Sequence, residues 1–217
     1  KEILFEGNIL IIETSKAEQL NIQELGGTIL LGEITFEGNK NQLANFLKDN
    51  EIIPSDKFTY SITGNGDLDT LKEKFKSEKK KAMLKHGRNQ LTFQDGEKIE
   101  LPSGEFNIFL HELNAKIYFG ISAQNYNYKE IEKRDMTKPS RRESLAISPR
   151  LSKILINLSE AKSRDTLLDP FCGVGCILQE ALLKNINVYG VDKDRKAIED
   201  ARSNLEWLKK EYNIKYQ

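Results

Sequence analysis

Short apolar clusters separated by turn residues dominate the first half of the chain. The segments 3–12 and 28–36 are rich in β-forming residues and are broken by Gly-Asn and Gly-Gly turns. Residues 42–48 have the apolar spacing of a helix. This βαββα-like alternation, which stops at Pro54, predicts a ferredoxin-like domain over residues 1–54.

A second run of elements follows. We predict a strand over 58–62, a helix over 69–85, and strands near 90–93, 106–110 and 116–121. These elements predict a second α/β domain over residues 55–125, followed by a connector over 126–164 that contains a linker helix. The predicted fold is therefore α/β and α+β.

The last part of the chain has a different and more specific pattern. The apolar strand Leu167-Leu168-Asp169 runs into a glycine turn and then into an apolar helix over 177–184. A second apolar strand ends at Asp192, and a helix with apolar residues at 198, 201, 205 and 208 follows. Residues 165–217 therefore predict the N-terminal part of a Rossmann-like domain, with one edge suited to a nucleoside.

The glycine turn has the chemistry of a binding loop. Gly173 and Gly175 permit positive φ and allow a ligand to approach the main chain closely. The following helix directs its free N–H groups toward that ligand. Asp192 stands where a carboxylate can accept hydrogen bonds from both ribose hydroxyls. A turn that merely joins a strand to a helix is the alternative.

Two departures from known fingerprints narrow the choice of nucleoside. A dinucleotide fingerprint requires a third glycine where this chain has Leu178, and a P-loop requires a Gly-Lys-Ser/Thr run that the sequence lacks. Both departures disfavour phosphate-bearing ligands. S-adenosyl-L-methionine is the commonest phosphate-free nucleoside cofactor on this scaffold, and it is the predicted cofactor.

Composition adds few constraints. The 217 residues include 33 basic and 33 acidic side chains, so net charge says nothing about partners. No apolar run has the length of a membrane span, and no signal-peptide pattern opens the sequence. Cys172 and Cys176 have no nearby histidine, so we predict no metal site and interpret both as small buried residues of a reduced, cytoplasmic protein.

Local charge is more informative than net charge. Residues 72–88 contain eight basic and two acidic side chains, a net charge of plus six that would attract a phosphate backbone. A solvated helix face is the alternative. A second basic cluster lies in the connector, where arginine suits phosphate better than lysine. The predicted RNA contacts are Lys79, Lys80, Lys81, Lys85, Arg88, Arg134, Arg141 and Arg142.

Three segments carry a resemblance to a known family. They are the glycine loop Asp169-Pro-Phe-Cys-Gly-Val-Gly with the preceding Ser148-Pro-Arg-Leu helix, the segment Leu25-Gly-Gly-Thr, and the segment Arg134-Asp-Met-Thr-Lys-Pro. Together they resemble the archaeal-type tRNA guanosine-N2 methyltransferases. These enzymes place an RNA-binding THUMP domain ahead of a Rossmann-like methyltransferase domain. The glycine loop alone is shared with many methylases, whereas its combination with the Ser-Pro-Arg-Leu helix is fairly specific.

The resemblance implies a function and a site. It implies a THUMP-like domain over 55–125, tRNA as partner and guanosine N2 as methyl acceptor. It places the methionine end of the cofactor against Asp169 and the loop, and the ribose against Asp192. The predicted cofactor-binding residues are Asp169, Pro170, Phe171, Cys172, Gly173, Gly175 and Asp192.

The resemblance assigns no catalytic residue to this chain. In the family, an Asn/Asp-Pro-Pro-Tyr/Phe loop after the fourth strand holds the amine, and no Pro-Pro pair occurs in this sequence. We therefore expect a fragment or one half of a split enzyme, unable to transfer a methyl group without a C-terminal half or a partner subunit. The alternatives are a DNA amino-methyltransferase, which shares the glycine loop, and a non-catalytic RNA-binding module.

Three further side chains receive structural interpretations. His86 and His111 have no partner at the spacing of a metal site or a catalytic triad, and both are interpreted as structural. Glu180, on the helix after the glycine loop, is predicted to cap the helix or to face solvent rather than to take part in catalysis.

Overall fold

A computed structural model describes residues 2–86, 88–93, 96, 98–142 and 147–214. The chain forms two compact units. The first contains Lys1–Asn21, Leu30–Asn89 and Glu100–Asn125, and the second contains Ile22–Ile29, Gln90–Ile99 and Tyr126–Gln217. Each unit is thus assembled from separate stretches of the sequence.

The described elements are mixed strands and helices, as predicted. The strands are β1 Glu2–Glu6, β2 Ile9–Ile12, β3 Leu30–Gly38, β4 Lys57–Thr63, β5 Lys81–Leu84, β6 Arg88–Thr92, β7 Lys98–Pro102, β8 Phe106–Leu113, β9 Lys116–Asn125, β10 Thr166–Asp169 and β11 Asn187–Gly190. The helices are α1 Lys40–Asp49, α2 Asp69–Ser77, α3 Tyr128–Met136, α4 Pro149–Leu158, α5 Cys176–Leu183 and α6 Arg195–Glu211. Two short 3-10 turns occupy Ala17–Gln19 and Ile22–Glu24.

The first unit is built on a mixed five-stranded sheet in the order β3-β9-β8-β4-β5. β4 pairs in parallel with β5 and β8, whereas β9 pairs antiparallel with β3 and β8. Helices α1 and α2 contribute Leu43, Leu47, Leu71 and Phe75 to the core under this sheet. A capping box between Asn39 and Gln42 starts α1 by satisfying free backbone N–H groups.

The predicted boundary between residues 54 and 55 passes through this sheet. β3 precedes the boundary and β4 follows it, yet both strands belong to the same five-stranded sheet and share one core. The boundary does not divide the sheet, because β9, far along the chain, pairs with β3 and joins it to β8 and β4. A ferredoxin-like and a THUMP-like assignment of this region both stay predictions.

The predicted helix over 69–85 is wrong in its second half. α2 ends at Ser77, Lys79 adopts a left-handed φ of 58°, and the chain then enters β5. The N–H of Lys81 donates to the carbonyl of Asp56 at 2.7 Å, which begins the parallel pairing with β4. The lysine run favours a helix by propensity, but pairing with the sheet determines its conformation.

The second unit contains a parallel pair of strands, β10 and β11, in which Asp169 lies opposite Gly190. α5 packs on this pair through Ala181, beside Ile156 of α4 and Ile186. α6 packs beside α5 through Ala201, next to Cys172 and Leu178. This strand–helix–strand arrangement places the end of β10, the start of α5 and the end of β11 at one edge.

The segment 22–29 also belongs to the second unit, where it lies on α4. Arg150 donates from Nε to the carbonyl of Gly26 at 3.0 Å, and Lys153 donates from Nζ to the carbonyl of Gln23 at 2.7 Å. A Cβ at Gly26 would lie 2.5 Å from the carbonyl oxygen of Arg150. The Leu25-Gly-Gly-Thr segment therefore needs glycine at position 26 for close contact with α4.

Candidate functional site

The glycine loop joins β10 to α5 in the conformation that the sequence predicts. Gly173 has a φ of 51° and Gly175 a φ of 83°, and Gly175 directly precedes the first residue of α5. The predicted positive φ angles are confirmed. α5 begins and ends one residue earlier than predicted, at Cys176 and Leu183.

Asp192 is bonded to this loop. Its Oδ2 accepts a hydrogen bond from the N–H of Gly173 at 2.9 Å, and its Oδ1 accepts one from the N–H of Asp194 at 2.9 Å. These two backbone donors, first that of Asp194 and then that of Gly173, hold the pKa of Asp192 below its ordinary value. The carboxylate is therefore ionised at neutral pH and fixes the loop relative to the end of β11.

Backbone hydrogen bonds hold the same two segments together. The N–H of Val191 donates to the carbonyl of Asp169 at 2.9 Å, and the N–H of Cys172 donates to the carbonyl of Val191 at 2.9 Å. The side chain of Asp169 is buried and accepts from the N–H of Phe171 at 3.1 Å. Pro170 lies between these two residues, and the ring of Phe171 is 85% exposed. The predicted cofactor-binding residues thus lie together at one edge of the strand pair.

Leu178 occupies the position of the third glycine in a dinucleotide fingerprint. It packs against the end of β11, where a Cβ at Gly190 would lie 2.5 Å from Leu178 Cδ1 and 3.0 Å from the sulfur of Cys172. The close helix–strand approach is therefore achieved by a glycine in the strand rather than in the helix.

The two cysteines are free and buried, as the sequence predicts. Burial raises the pKa of Cys172, and the nearby charges of Asp169 and Asp192 raise it further. Among the described residues, no group of histidine, cysteine and carboxylate side chains could hold a metal ion.

Glu180 is a partner of the connector, so the prediction that it caps the helix or faces solvent is wrong. Its carboxylate is buried and accepts from Arg134 Nε at 2.6 Å and from Arg134 Nη2 at 3.2 Å. The Nζ of Lys153 lies 3.8 Å from the same carboxylate. No sequence pattern indicates this contact, because only the fold brings α3, α4 and α5 together.

Two of the three connector arginines that were predicted to contact RNA form ion pairs with carboxylates. Arg134 pairs with Glu180, and Arg142 pairs with Asp194 at 2.6 Å and with Asp200 at 3.1 Å. Arg141 is exposed, with Nη1 3.4 Å from the carbonyl of Met136. Of the three, Arg141 has the most accessible guanidinium for a phosphate.

The predicted basic cluster in the first unit also contains both a paired, buried side chain and exposed ones. The side chain of Lys80 is 5% exposed, pairs with Glu51 at 2.7 Å and donates to the carbonyl of Ile53. Glu51 and Ile53 lie 29 and 27 residues earlier in the sequence, so the lysine run by itself does not indicate this burial. Lys79, Lys81 and Lys85 are exposed, and the side chain of Arg88 lies outside the described residues.

The histidines differ in their surroundings. His111 Nε2 lies 2.6 Å from the carboxylate of Glu6, whereas His86 is exposed.

The helices were also compared with the length and hydropathy that a bilayer requires. Among the described residues, none of them meets both requirements for a transmembrane span.

A known protein family matches the part of the chain that contains the glycine loop. Residues 139–217 match the family model described as RMKL-like, methyltransferase domain. This segment of the chain is therefore similar to that methyltransferase domain. The resemblance to methyltransferases is thereby confirmed for the methyltransferase domain, which includes the loop and Asp192.

Curated relatives of the chain carry the names of tRNA-modifying enzymes. The tRNA (guanine(10)-N2)-dimethyltransferase of Methanothermobacter thermautotrophicus is 40% identical over 86 residues, which make up 40% of this chain and 24% of the relative. The enzyme of the same name from Pyrococcus abyssi is 34% identical over 101 residues, 46% of this chain and 30% of the relative. The chain thus spans about a quarter to a third of the curated relatives it matches.

A solved structure agrees in fold. TrmN from Thermus thermophilus has a TM-score of 0.52 and 14% sequence identity, with coverage of 86% of this chain and 55% of that chain. The predicted mixed α/β architecture with a Rossmann-like methyltransferase domain is confirmed by this likeness and by the family match.

Proposed function

We propose that the protein takes part in S-adenosyl-L-methionine-dependent methylation of tRNA at guanosine N2. The single observation that supports this most strongly is the set of hydrogen bonds that joins the glycine loop to Asp169 and to Asp192 at one edge of β10 and β11. The names of the curated relatives favour tRNA and guanine N2.

The residues at this edge fit the proposed cofactor. S-adenosyl-L-methionine carries a sulfonium and an ammonium, and the carboxylates of Asp169 and Asp192 at this edge can offset that positive charge. A Cβ at Gly173 would meet no atom within 4 Å, so the space over the loop is open. When bound, the cofactor supplies an electrophilic methyl group.

Each part of the edge has a proposed role. The ionised Asp192 can accept hydrogen bonds from the ribose hydroxyls through its remaining lone pairs. Asp169 and residues 171–175 contact the methionine end, and Pro170 shapes the turn between them. These residues bind and orient the cofactor; none of them is proposed to move a proton.

For RNA, we propose the exposed members of the two basic clusters. Lys79, Lys81 and Lys85 present exposed ammonium groups in the first unit, and Arg141 presents an exposed guanidinium in the connector. Phosphate contacts of this kind supply most of the affinity for nucleic acid and make that affinity salt-dependent. Lys80, Arg134 and Arg142 are excluded because carboxylates already pair with them.

The cofactor proposal is tested by calorimetry with S-adenosylhomocysteine. We expect measurable binding by the purified chain and a loss of at least about tenfold in affinity for Asp192→Ala, since one bidentate acceptor and the tie to Gly173 disappear together. Glu199→Ala removes an exposed carboxylate from α6 and serves as the control. Absence of binding by the wild-type chain would refute the cofactor assignment.

The RNA proposal is tested by a salt series with tRNA and with duplex DNA of equal length. Charge reversal of Lys79, Lys81 and Lys85 should flatten the salt dependence by about 0.7–0.9 for each lost phosphate contact. The control reverses Lys16, Lys48 and Lys162, which are exposed and change the net charge equally. Tighter binding to duplex DNA than to tRNA would favour the DNA amino-methyltransferase instead.

A further inference from the structure

A five-residue segment of the connector, Lys138-Pro139-Ser140-Arg141-Arg142, runs beside the base of the glycine loop. We call it the strap. Three of its residues make polar contacts with the elements that position the loop, and all of these contacts lie within the second unit. None of the strap residues belongs to the proposed cofactor contacts.

The central contact is made by Asn204 of α6, whose side chain is 0% exposed. Its Oδ1 accepts from the N–H of Ser140 at 2.8 Å, and its Nδ2 donates to the carbonyl of Ser140 at 2.9 Å. The same Nδ2 also donates to the carbonyl of Val174, between the two loop glycines, at 2.9 Å. Both amide protons are therefore used, one on the strap and one on the loop.

The first residue of the strap reaches the end of the loop. The buried Nζ of Lys138 lies 3.5 Å from the sulfur of Cys176, the residue that follows Gly175, and 3.3 Å from Asp135 Oδ1. Since a buried ammonium requires such partners, Lys138 joins the end of α3 to the start of α5.

The last residue of the strap reaches Asp192 through one intermediate. Arg142 Nη1 donates to Asp194 Oδ2 at 2.6 Å, and the N–H of Asp194 donates to Asp192 Oδ1 at 2.9 Å. Asp194 is also the N-cap of α6, where its Oδ1 accepts from the N–H of Lys196. The guanidinium therefore fixes the residue that orients the proposed ribose acceptor.

We propose that Asn204 and the strap are positioning elements for the cofactor loop. Asn204 sets the carbonyl of Val174, and with it the path of the main chain between the two left-handed glycines. Because the strap follows α3 directly, a displacement of the connector would shift three supports of the cofactor site at once. The affinity for cofactor is therefore coupled to the position of the connector. This inference rests on the proposed function.

Asn204→Asp is the sharpest variant because it is isosteric. The carboxylate keeps an acceptor for the N–H of Ser140, but it replaces the donor nitrogen by an acceptor oxygen that faces the carbonyls of Ser140 and Val174. Ser203→Asp adds the same charge one residue away on the exposed face of α6. Leu208→Ala, at a buried position of the same helix, lowers stability but removes none of the hydrogen bonds to the strap.

Two measurements are made on the full chain. In calorimetry with S-adenosylhomocysteine, Asn204→Asp should bind at least tenfold more weakly, while both controls stay within twofold of wild type. In hydrogen exchange, peptides spanning residues 170–178 should exchange faster in Asn204→Asp than in either control. Arg142→Gln, whose side chain is partly exposed, should show the same two effects at a smaller size and tests the strap if Asn204→Asp does not fold.

The outcomes separate the two proposals. Unchanged affinity and unchanged exchange in Asn204→Asp, or an equal loss of affinity in Leu208→Ala, would overturn the positioning role. If the wild-type chain does not bind S-adenosylhomocysteine, the proposed function fails. The exchange of residues 170–178 then still decides whether the strap holds the loop.

Discussion

Arg134 of α3 and Glu180 of α5 form a buried bidentate ion pair, in which Nε and Nη2 of the guanidinium donate to the two oxygens of one carboxylate. Burial alone would lower the pKa of Arg134, but the charge and hydrogen bonds of Glu180 outweigh this and raise it. Burial also lowers the pKa of Lys153, the second cation beside Glu180. One carboxylate thus compensates two buried cations on separate helices.

Removing either partner should destabilise the protein strongly. We expect Glu180→Gln to lower the free energy of unfolding by about 3–5 kcal/mol, because it leaves two buried cations without a counter-charge. Arg134→Met should cost somewhat less, because Lys153 Nζ remains 3.8 Å from the Glu180 carboxylate. Urea denaturation measures this change. Arg202→Met, on the exposed face of α6, is the control and should stay within about 0.5 kcal/mol. A large loss of tRNA affinity without a loss of stability in Arg134→Met would restore this residue as an RNA contact.

Gly26 and Gly27 offer a matched pair of substitutions. A Cβ at Gly26 would lie 2.5 Å from a backbone oxygen of α4, whereas one at Gly27 would lie 3.7 Å from Ile154 Cδ1, an ordinary contact. We expect Gly26→Ala to destabilise by about 1–3 kcal/mol through overpacking and Gly27→Ala to be close to neutral. Thermal denaturation of both variants checks this, and equal effects at the two positions would contradict the close approach.

Lys79 and Lys80 are neighbours with opposite expected behaviour. Lys80→Met should destabilise by about 1–3 kcal/mol, because the carbonyl of Ile53 and the nearby carboxylates lose their buried donor. Lys79→Met, at an exposed position, should change stability by less than about 0.5 kcal/mol. Conversely, Lys79→Met should weaken tRNA binding more than Lys80→Met does in the folded fraction. Denaturation curves and filter binding on the same preparations test both statements.

The depressed pKa of Asp192 predicts a dependence of stability on acid pH. A carboxyl group whose pKa is lower in the folded chain than in the unfolded chain, where it is about 3.9, stabilises above that value. This contribution disappears as the pH falls through the folded-state pKa. The gap in urea midpoint between wild type and Asp192→Asn should therefore narrow below about pH 4. A gap that stays constant between pH 6 and pH 2.5 would contradict the two backbone hydrogen bonds.

The geometry of the glycine loop and Asp192 could be predicted from the sequence because its determinants are local. Gly173, Gly175 and the strand before them dictate the turn, and Asp192 follows after a single strand–helix unit. The buried charges could not be predicted in this way. Glu180 lies 46 residues from Arg134, and Lys80 lies 29 residues from Glu51, so the partner of each is visible only in the fold.

The lysine run illustrates the same limit for secondary structure. Lys79, Lys80 and Lys81 are good helix formers, and their charges resemble a solvated helix face. The sheet offers an open parallel position beside β4, however, and residues 81–84 form a strand there. Hydrogen bonding with β4 therefore determines the conformation of residues 81–84, whereas the local helix preference correctly predicts the structure up to Ser77.

The inclusion of residues 22–29 in the second unit has a consequence for how the protein folds. During synthesis these residues emerge well over a hundred positions before α4, whose polar groups bind their carbonyls. The contact between residues 22–29 and α4 can therefore form only after α4 has been synthesised. Contacts between residues so far apart in the sequence slow folding. Expressing residues 126–217 by themselves would leave the guanidinium of Arg150 without the carbonyl of Gly26, so an excised methyltransferase segment should be aggregation-prone unless a peptide containing residues 22–29 is supplied in trans.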